Sequence, residues 1–463
     1  MNQYSFLPSS LPQPSGLFRS LSMGFKLIIV CGMALVMAIP ALFVSGVVDD
    51  RSRRADDVLR DISSHVGGPQ TFLGPTLAIP YTALEPARRG TYYVFPIKAA
   101  ATIKTTTEER HRSLFRVPVF QADLKLDADF DLTGVPTAAP PGAVLDWNRA
   151  EIVVGVSDAR GALADATLTM DGKTIALTPA DVINMTPDQG QQTPLSLLEA
   201  KAGEIATPNA QFHVSSDMRF SGAERISVLA YGKTTHLTAQ GDWRNPSFDG
   251  GILPVARNVT DQGFTAEWTV PFIARGVPAE GPREFIPSLE KTALGISFIE
   301  VADPYQSVNR SLKYVLLFLG LVFLTYFVFE ATTGRRVHPA QYILVGFAQI
   351  IFYLLLLSFA ERIGFDLGFL LAGAATVFLL AANAGWIFAS RLQGLRALIV
   401  FALLYTLIYL LLTLEDNALL VGAVASFLAV SAAMYFTRRI DWYSTAAGTR
   451  ATAPSPATTG DPA

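Results

Sequence analysis

Six apolar stretches, at 27–48, 312–329, 340–359, 367–389, 397–414 and 418–436, limit this chain more than any other feature. Each falls within the roughly 17 to 25 residues of helix needed to cross about 30 Å of hydrocarbon. Backbone in lipid has no water to bond to, so each stretch is expected to be a membrane-spanning helix. Composition agrees: 50% of the 463 residues are hydrophobic and 16% charged, against about 25% charged in ordinary soluble proteins. The first stretch follows Arg19 and Lys26 and outruns the apolar core of a signal peptide, about 7 to 15 residues, so it reads as a retained anchor. The lone cysteine, Cys31, lies inside it. An internal disulfide and a cysteine-based metal site are therefore excluded.

Arginines set the sidedness. Alternate short loops carry Arg335 with Arg336 and Arg391 with Arg396, and Arg438 with Arg439 follow the last stretch. Basic residues in short loops stay in the cytoplasm, which puts both termini inside and exports the block 49–311. The other short loops carry Glu361, Arg362 and Asp366, then Glu415 and Asp416. An acid at mid-membrane costs about 2.5 kcal/mol or more, so Glu415 and Asp416 are expected to mark an outward turn that splits one apolar run into two helices. Glu361, Asp366, Glu415 and Asp416 thus share one side, where they are candidates for docking a basic patch or a cationic ligand.

The exported block has the pattern of β structure. Phe120, Ala122, Leu124, Leu126, Ala128, Phe130 and Leu132 alternate with Gln121, Asp123, Lys125, Asp127, Asp129, Asp131 and Thr133. That period of two means one face buried and one wet. Shorter runs repeat it at Phe95 to Ile103, Ile152 to Val156 and Phe264 to Val270. Asp171-Gly172 is the preferred chemistry for a two-residue hairpin turn and sets Leu168 opposite Ile175. Long two-faced strands joined by hairpins predict an all-β sandwich or large curved sheet. A short helix is expected over 194–202. The turn-rich loop 241–254 offers Trp243, Arg244 and Asp249 as candidate interaction residues, on either of two readings. Its aromatics plug a sheet edge, or the loop is a recognition surface.

No chemistry stands out. His65, His111, His213, His236 and His338 lack metal-pair spacing, and P-loop and nucleophile-elbow motifs are missing. No cofactor is expected. A net charge of −3 without a dense basic run gives no reason to expect nucleic acid. The helix interiors are nearly uncharged, with Gln349, Asn383 and Thr406 as the main polar groups, each expected to bond a neighbouring helix. The resulting division is a cytoplasmic segment 1–26, an anchor 27–48, a periplasmic β domain 49–311, a five-helix bundle 312–436 and a disordered tail 437–463.

The segments "SLKYVLLFLGLVFLTYFVFE", "HPAQYILVGFAQIIFYLLLLSFAERIGF", "TLEDNALLVG" and "RRIDWY", with "GGPQTFLGPTLAIPY", "VPVFQADLKLDADFDL" and "DWRNPSFDGGILP" upstream, occur here in order. On them the chain, from about residue 20 to 443, resembles the CreD family of bacterial inner-membrane proteins, also called cell envelope integrity proteins. The resemblance implies a Gram-negative inner membrane, a role in envelope maintenance or stress response, and a link to a two-component system. It brings no catalytic residues. The expectation is a non-enzymatic α-helical polytopic protein of six spans. Its β domain would bind an envelope protein or cell-wall component, and its helices would contact membrane lipids. The second expectation is a transporter or lipid-handling protein gated by that domain.

Overall fold

A computed structural model describes residues 23–84, 87–112, 115–135, 142–185, 193–298, 304–413 and 418–438. The chain divides into two compact units, Met1–Ser52 with Ala302–Ala463, and Arg53–Val301. Helices in chain order are α1 (Met23–Val36), α2 (Ala38–Val66), α3 (Phe272–Arg275), α4 (Phe285–Ser288), α5 (Pro304–Lys313), α6 (Val315–Thr333), α7 (Pro339–Ile363), α8 (Phe365–Ile387), α9 (Arg391–Thr413) and α10 (Ala418–Thr437).

Five helices among the described residues are long and apolar enough to cross a membrane: Gly24–Val66, Val315–Thr333, Pro339–Ile363, Phe365–Ile387 and Arg391–Thr413. The sixth expected stretch is helical as α10, but its described apolar run, Gly422–Tyr435, is shorter than the others. The first stretch is only the apolar part of a longer helix. Met37 N–H reaches Met33 at 3.0 Å and α2 then continues through Asp49, Asp50, Arg51, Arg53 and Arg54 to Val66. Charge ends the greasy run there without ending the helix, because side chains leave the backbone ladder intact. Pro40 lies inside this continuous run, where it cannot donate to the Val36 carbonyl, and the helical pattern is interrupted at Met37, between α1 and α2. Between α7 and α8 the backbones meet closely: a Cβ on Gly368 would lie 2.8 Å from the Ala360 nitrogen, so the small residue is what lets these helices touch.

The β unit holds two sheets. The ten-stranded one runs β14 (Pro246–Gly250), β18 (Leu294–Phe298), β12 (Arg225–Val228), β1 (Gln70–Leu84), β6 (Glu151–Val156), β10 (Thr193–Lys201) and β9 (Thr178–Met185). Off that path, β2 (Ala87–Val94) and β5 (Ala143–Leu145) pair β1, and β17 (Glu280–Pro282) pairs β2. The eight-stranded sheet runs β15 (Ala256–Thr260), β16 (Gly263–Val270), β13 (Thr234–Gly241), β3 (Lys98–Arg112), β4 (Phe115–Asp131), β11 (Gln211–Ala223), β7 (Thr167–Met170) and β8 (Lys173–Ala176).

Strand β4 obeys its alternation: every apolar residue from Phe120 to Leu132 is buried. Asp171 and Gly172 both take positive φ, 50° and 72°, and Leu168 pairs Ile175 as the hairpin chemistry requires. The helix expected over 194–202 is instead strand β10, paired on both sides with β6 and β9. Two waiting partners satisfy its backbone while Leu195 and Leu197 go inward, and that outweighs local preference.

Both sheets contribute to one core. Phe72 of β1 meets Phe220 of β11 edge-on at 5.2 Å, and Phe248 of β14 meets Trp268 of β16 at 5.8 Å. Tyr231 lies wholly inside it. Its ring covers Gly74 of β1, where any Cβ would collide, and its hydroxyl donates to the carbonyls of Ala100 in β3 and Asp127 in β4 at 2.8 and 2.9 Å. One side chain thus ties strands of both sheets, and burial holds its phenol well above the usual range.

Candidate functional site

Of the four candidate acids of the helical unit, the two that lie within the described residues are already engaged. Glu361, in the last turn of α7, accepts a hydrogen bond from Tyr305 of α5 at 3.0 Å. Asp366, in the first turn of α8, accepts one from Tyr409 of α9 at 2.9 Å and lies where the helix dipole favours negative charge. The two flank Gly364 at the α7–α8 junction, each fastened by a tyrosine from a different helix. Glu415 and Asp416 lie outside the described residues.

The loop residues of the β unit fare differently. Asp249, on β14, accepts from Arg225 Nε at 2.9 Å and from the hydroxyl of Ser297. Trp243 packs edge-on against Phe298 and donates its indole N–H to the carbonyl of Asn245 at 3.1 Å. Phe248 joins the core through Phe264 and Trp268. These contacts serve the plug between sheet edges, and Arg244 is the candidate left exposed. Of the polar helix residues, Asn383 bonds Tyr326 across helices at 3.3 Å, and Thr406 bonds back to Ala402 of its own helix. Gln349 is buried, and its amide nitrogen has no partner among the described residues.

Three arrangements were not foreseen from sequence. Glu330, 2% exposed in the last turn of α6, forms an ion pair with Lys26 of α1. The same carboxylate accepts from the Val337 N–H at 3.0 Å and from the Tyr342 hydroxyl at 3.2 Å, and Lys26 also reaches the Val337 carbonyl at 2.9 Å. The expected apolar stretch stopped at 329, one residue short of it. A signal existed: Lys26 opens the first stretch and Glu330 closes the second, which places both on one side of the membrane. Arg275, also 2% exposed, has no carboxylate partner among the described residues. Its guanidinium donates to the carbonyls of Ala230 at 2.9 Å and Pro278 at 3.0 Å and lies 4.1 Å over the Phe95 ring, while burial pulls its pKa down to about 10. The third is Glu151 on β6, whose pKa is raised, first by burial and then by the charge of Glu199 on β10.

A cleft of about 310 Å³ opens on the eight-stranded sheet, lined by Ile97, Lys98, Asp129, Phe130, Gln211 and Phe212. Beside it His213 bonds Asp129 at 2.8 Å, and Gln211 donates to Asp131 at 3.1 Å. Phe212 stacks on Phe130 at 5.0 Å on the core face of these strands, opposite the face that carries Lys98, Asp129 and Gln211. Among the described residues no group of three or more His, Cys, Asp or Glu is placed to hold a metal ion.

Apolar helices of spanning length joined to a large β unit define a multi-pass α-helical membrane protein. The match of the family model for Inner membrane protein CreD to residues 22–443 takes in both units, and the chain belongs to the CreD family. It is 30% identical to Inner membrane protein CreD of Escherichia coli (strain K12) over 436 residues, covering 91% of this chain and 94% of that protein. Membership of that family, with several spanning helices, makes this an envelope-associated, multi-pass protein of the inner membrane.

Proposed function

We propose that this is a non-enzymatic envelope-integrity and stress-response protein whose β unit faces the periplasm and binds an envelope partner. The helical unit, with α10 as a sixth span, anchors it with both termini in the cytoplasm, and the two sheets work as a sandwich. The paired arginines of alternate short loops support this sidedness. The cleft lined by Lys98, Asp129, Gln211 and Phe212 is the observation that carries the binding role. It offers a cation, a carboxylate and an amide within one concavity, the mix expected where a polar ligand is oriented. An envelope protein or cell-wall component with polar groups fits that lining. A link to a two-component system is part of the reading and rests on the family resemblance.

Removing the β unit while keeping the helices should abolish the envelope phenotype, and full function without it would reject the proposal. Lys98→Glu with Gln211→Ala should give a partial loss with normal membrane levels. A reporter fused near residue 200 should be active only outside the cytoplasm.

A further inference from the structure

No Asp, Glu, Lys or Arg occurs in 340–360, 367–387 or 397–413, the inner lengths of α7, α8 and α9. Two polar side chains nevertheless lie within those lengths with nothing to bond. Gln349 of α7 is 1% exposed and its amide nitrogen has no partner among the described residues; Tyr405 of α9, 4% exposed, has none there for its hydroxyl. Two other buried tyrosines of the unit are spent, Tyr326 on the Leu380 carbonyl at 2.8 Å and Tyr342 on Glu330 at 3.2 Å. The unmet pair converges. The Tyr405 ring meets Phe352 of α7 edge-on at 5.0 Å, and a Cβ on Gly373 of α8 would lie 3.4 Å from it. Phe352 stands one turn from Gln349 on α7. Short loops join α7 to α8 and α8 to α9, so α7 and α9 run the same way, and long side chains lean toward the N-terminal end of their helix. The Tyr405 hydroxyl therefore extends from the level of Phe352 toward that of Gln349. Thr376 of α8 stands beside it out of bonding geometry and gives its own proton to the Ala372 carbonyl at 2.8 Å.

We propose that Gln349 and Tyr405 form a site for ordered water inside the helical unit. An amide and a hydroxyl kept dry among apolar helices lose their bonds outright, and neither a lipid tail nor an apolar side chain replaces them. A charged ligand does not fit, because no ionic side chain stands at that level and Glu330 and Asp366, toward the two ends, are engaged by Lys26 and Tyr409. Water donates and accepts at once, and a buried water needs roughly two to four polar partners. Gln349 offers an amide, Tyr405 a hydroxyl and Thr376 the lone pairs left on its oxygen. The site is independent of the β unit and of the partner proposed for it.

Full-length protein in lipid nanodiscs tests this by X-ray radiolysis, which makes hydroxyl radicals from water in place and oxidises the aromatic rings that touch it. Tyr405 should be labelled several-fold faster than Tyr342, which is at least as buried but bonded to Glu330. That comparison needs no variant. Gln349→Met keeps the length of the side chain without its amide; it should cut the Tyr405 rate several-fold and leave that of exposed Tyr435 unchanged. Melting supplies the sign: removing a polar group from a dry site raises Tm, whereas removing a ligand of bound water lowers it or leaves it unchanged. Tyr405 labelled no faster than Tyr342, or Gln349→Met and Tyr405→Phe each raising Tm by several degrees, would overturn the assignment.

Discussion

Glu330 in the helical unit and Arg275 in the β unit are both 2% exposed, yet their charges are met in opposite ways. Glu330 has a full counter-charge in Lys26, plus a tyrosine hydroxyl and a backbone N–H. Among the described residues Arg275 has carbonyl dipoles and the face of Phe95 instead. Glu330 is buried from water at the end of an apolar helix, and a buried carboxylate persists as an ion only with a partner beside it. In a β unit, turns deliver carbonyls that need donors. A guanidinium with five N–H groups in a fixed fork can serve several at once. The first is a pair that joins two helices; the second is a brace that ties the backbone at Ala230 to the turn at Val277 and Pro278.

The largest effect should come from breaking the pair. Glu330→Ala leaves Lys26 with no carboxylate in a buried setting and should cost about 3 to 5 kcal/mol of stability, read from unfolding in nanodiscs. Lys26→Met with Glu330→Met should recover much of that loss, because it removes both ions. If the double variant is no better than the single, the two residues do not act as a pair. Arg275→Ala should cost somewhat less, about 2 to 4 kcal/mol, by orphaning the carbonyls of Ala230 and Pro278. Arg275→Lys sharpens the contrast: if charge alone mattered it would be neutral, whereas a brace predicts that most of the loss remains.

The smallest effect concerns Glu151. Its raised pKa means the folded state holds its proton more tightly than the unfolded chain does. That contribution is full below the usual carboxylate range and is lost as pH rises through the raised value. Glu199→Gln should flatten that decline in an unfolding titration, by less than about 1 kcal/mol given the solvent around the pair. A steeper decline in the variant would mean that Glu199 stabilises Glu151 and does not repel it.

Periodicity made the long elements legible. The alternation of 120–132 is satisfied residue by residue in β4, and Asp171-Gly172 placed a hairpin in register. Both are local facts, readable from neighbours in the chain. Helix length was less legible, because hydropathy marks where lipid contact ends and α2 runs on through charged residues to Val66. The 194–202 stretch failed for a related reason: its strand state depends on β6 and β9, which are distant in sequence. The candidate residues divide the same way. Trp243 and Asp249 stood out in the sequence as part of a turn-rich cluster open to two readings, and only their contacts with Phe298, Arg225 and Ser297 show that they hold the edge together.

Sequence alone therefore determined which stretches are greasy enough for lipid, which strands have one wet face, and which family the motifs resemble. The first two depend on composition or spacing along the chain, and the third on resemblance of whole segments. The tertiary structure decided that Lys26 meets Glu330, that Arg275 is held by carbonyls, and that Gln349 and Tyr405 are buried without a hydrogen-bond partner among the described residues. Those outcomes are set by distances between residues far apart in the chain, and electrostatic and hydrogen-bond energies depend on such distances rather than on order in the sequence.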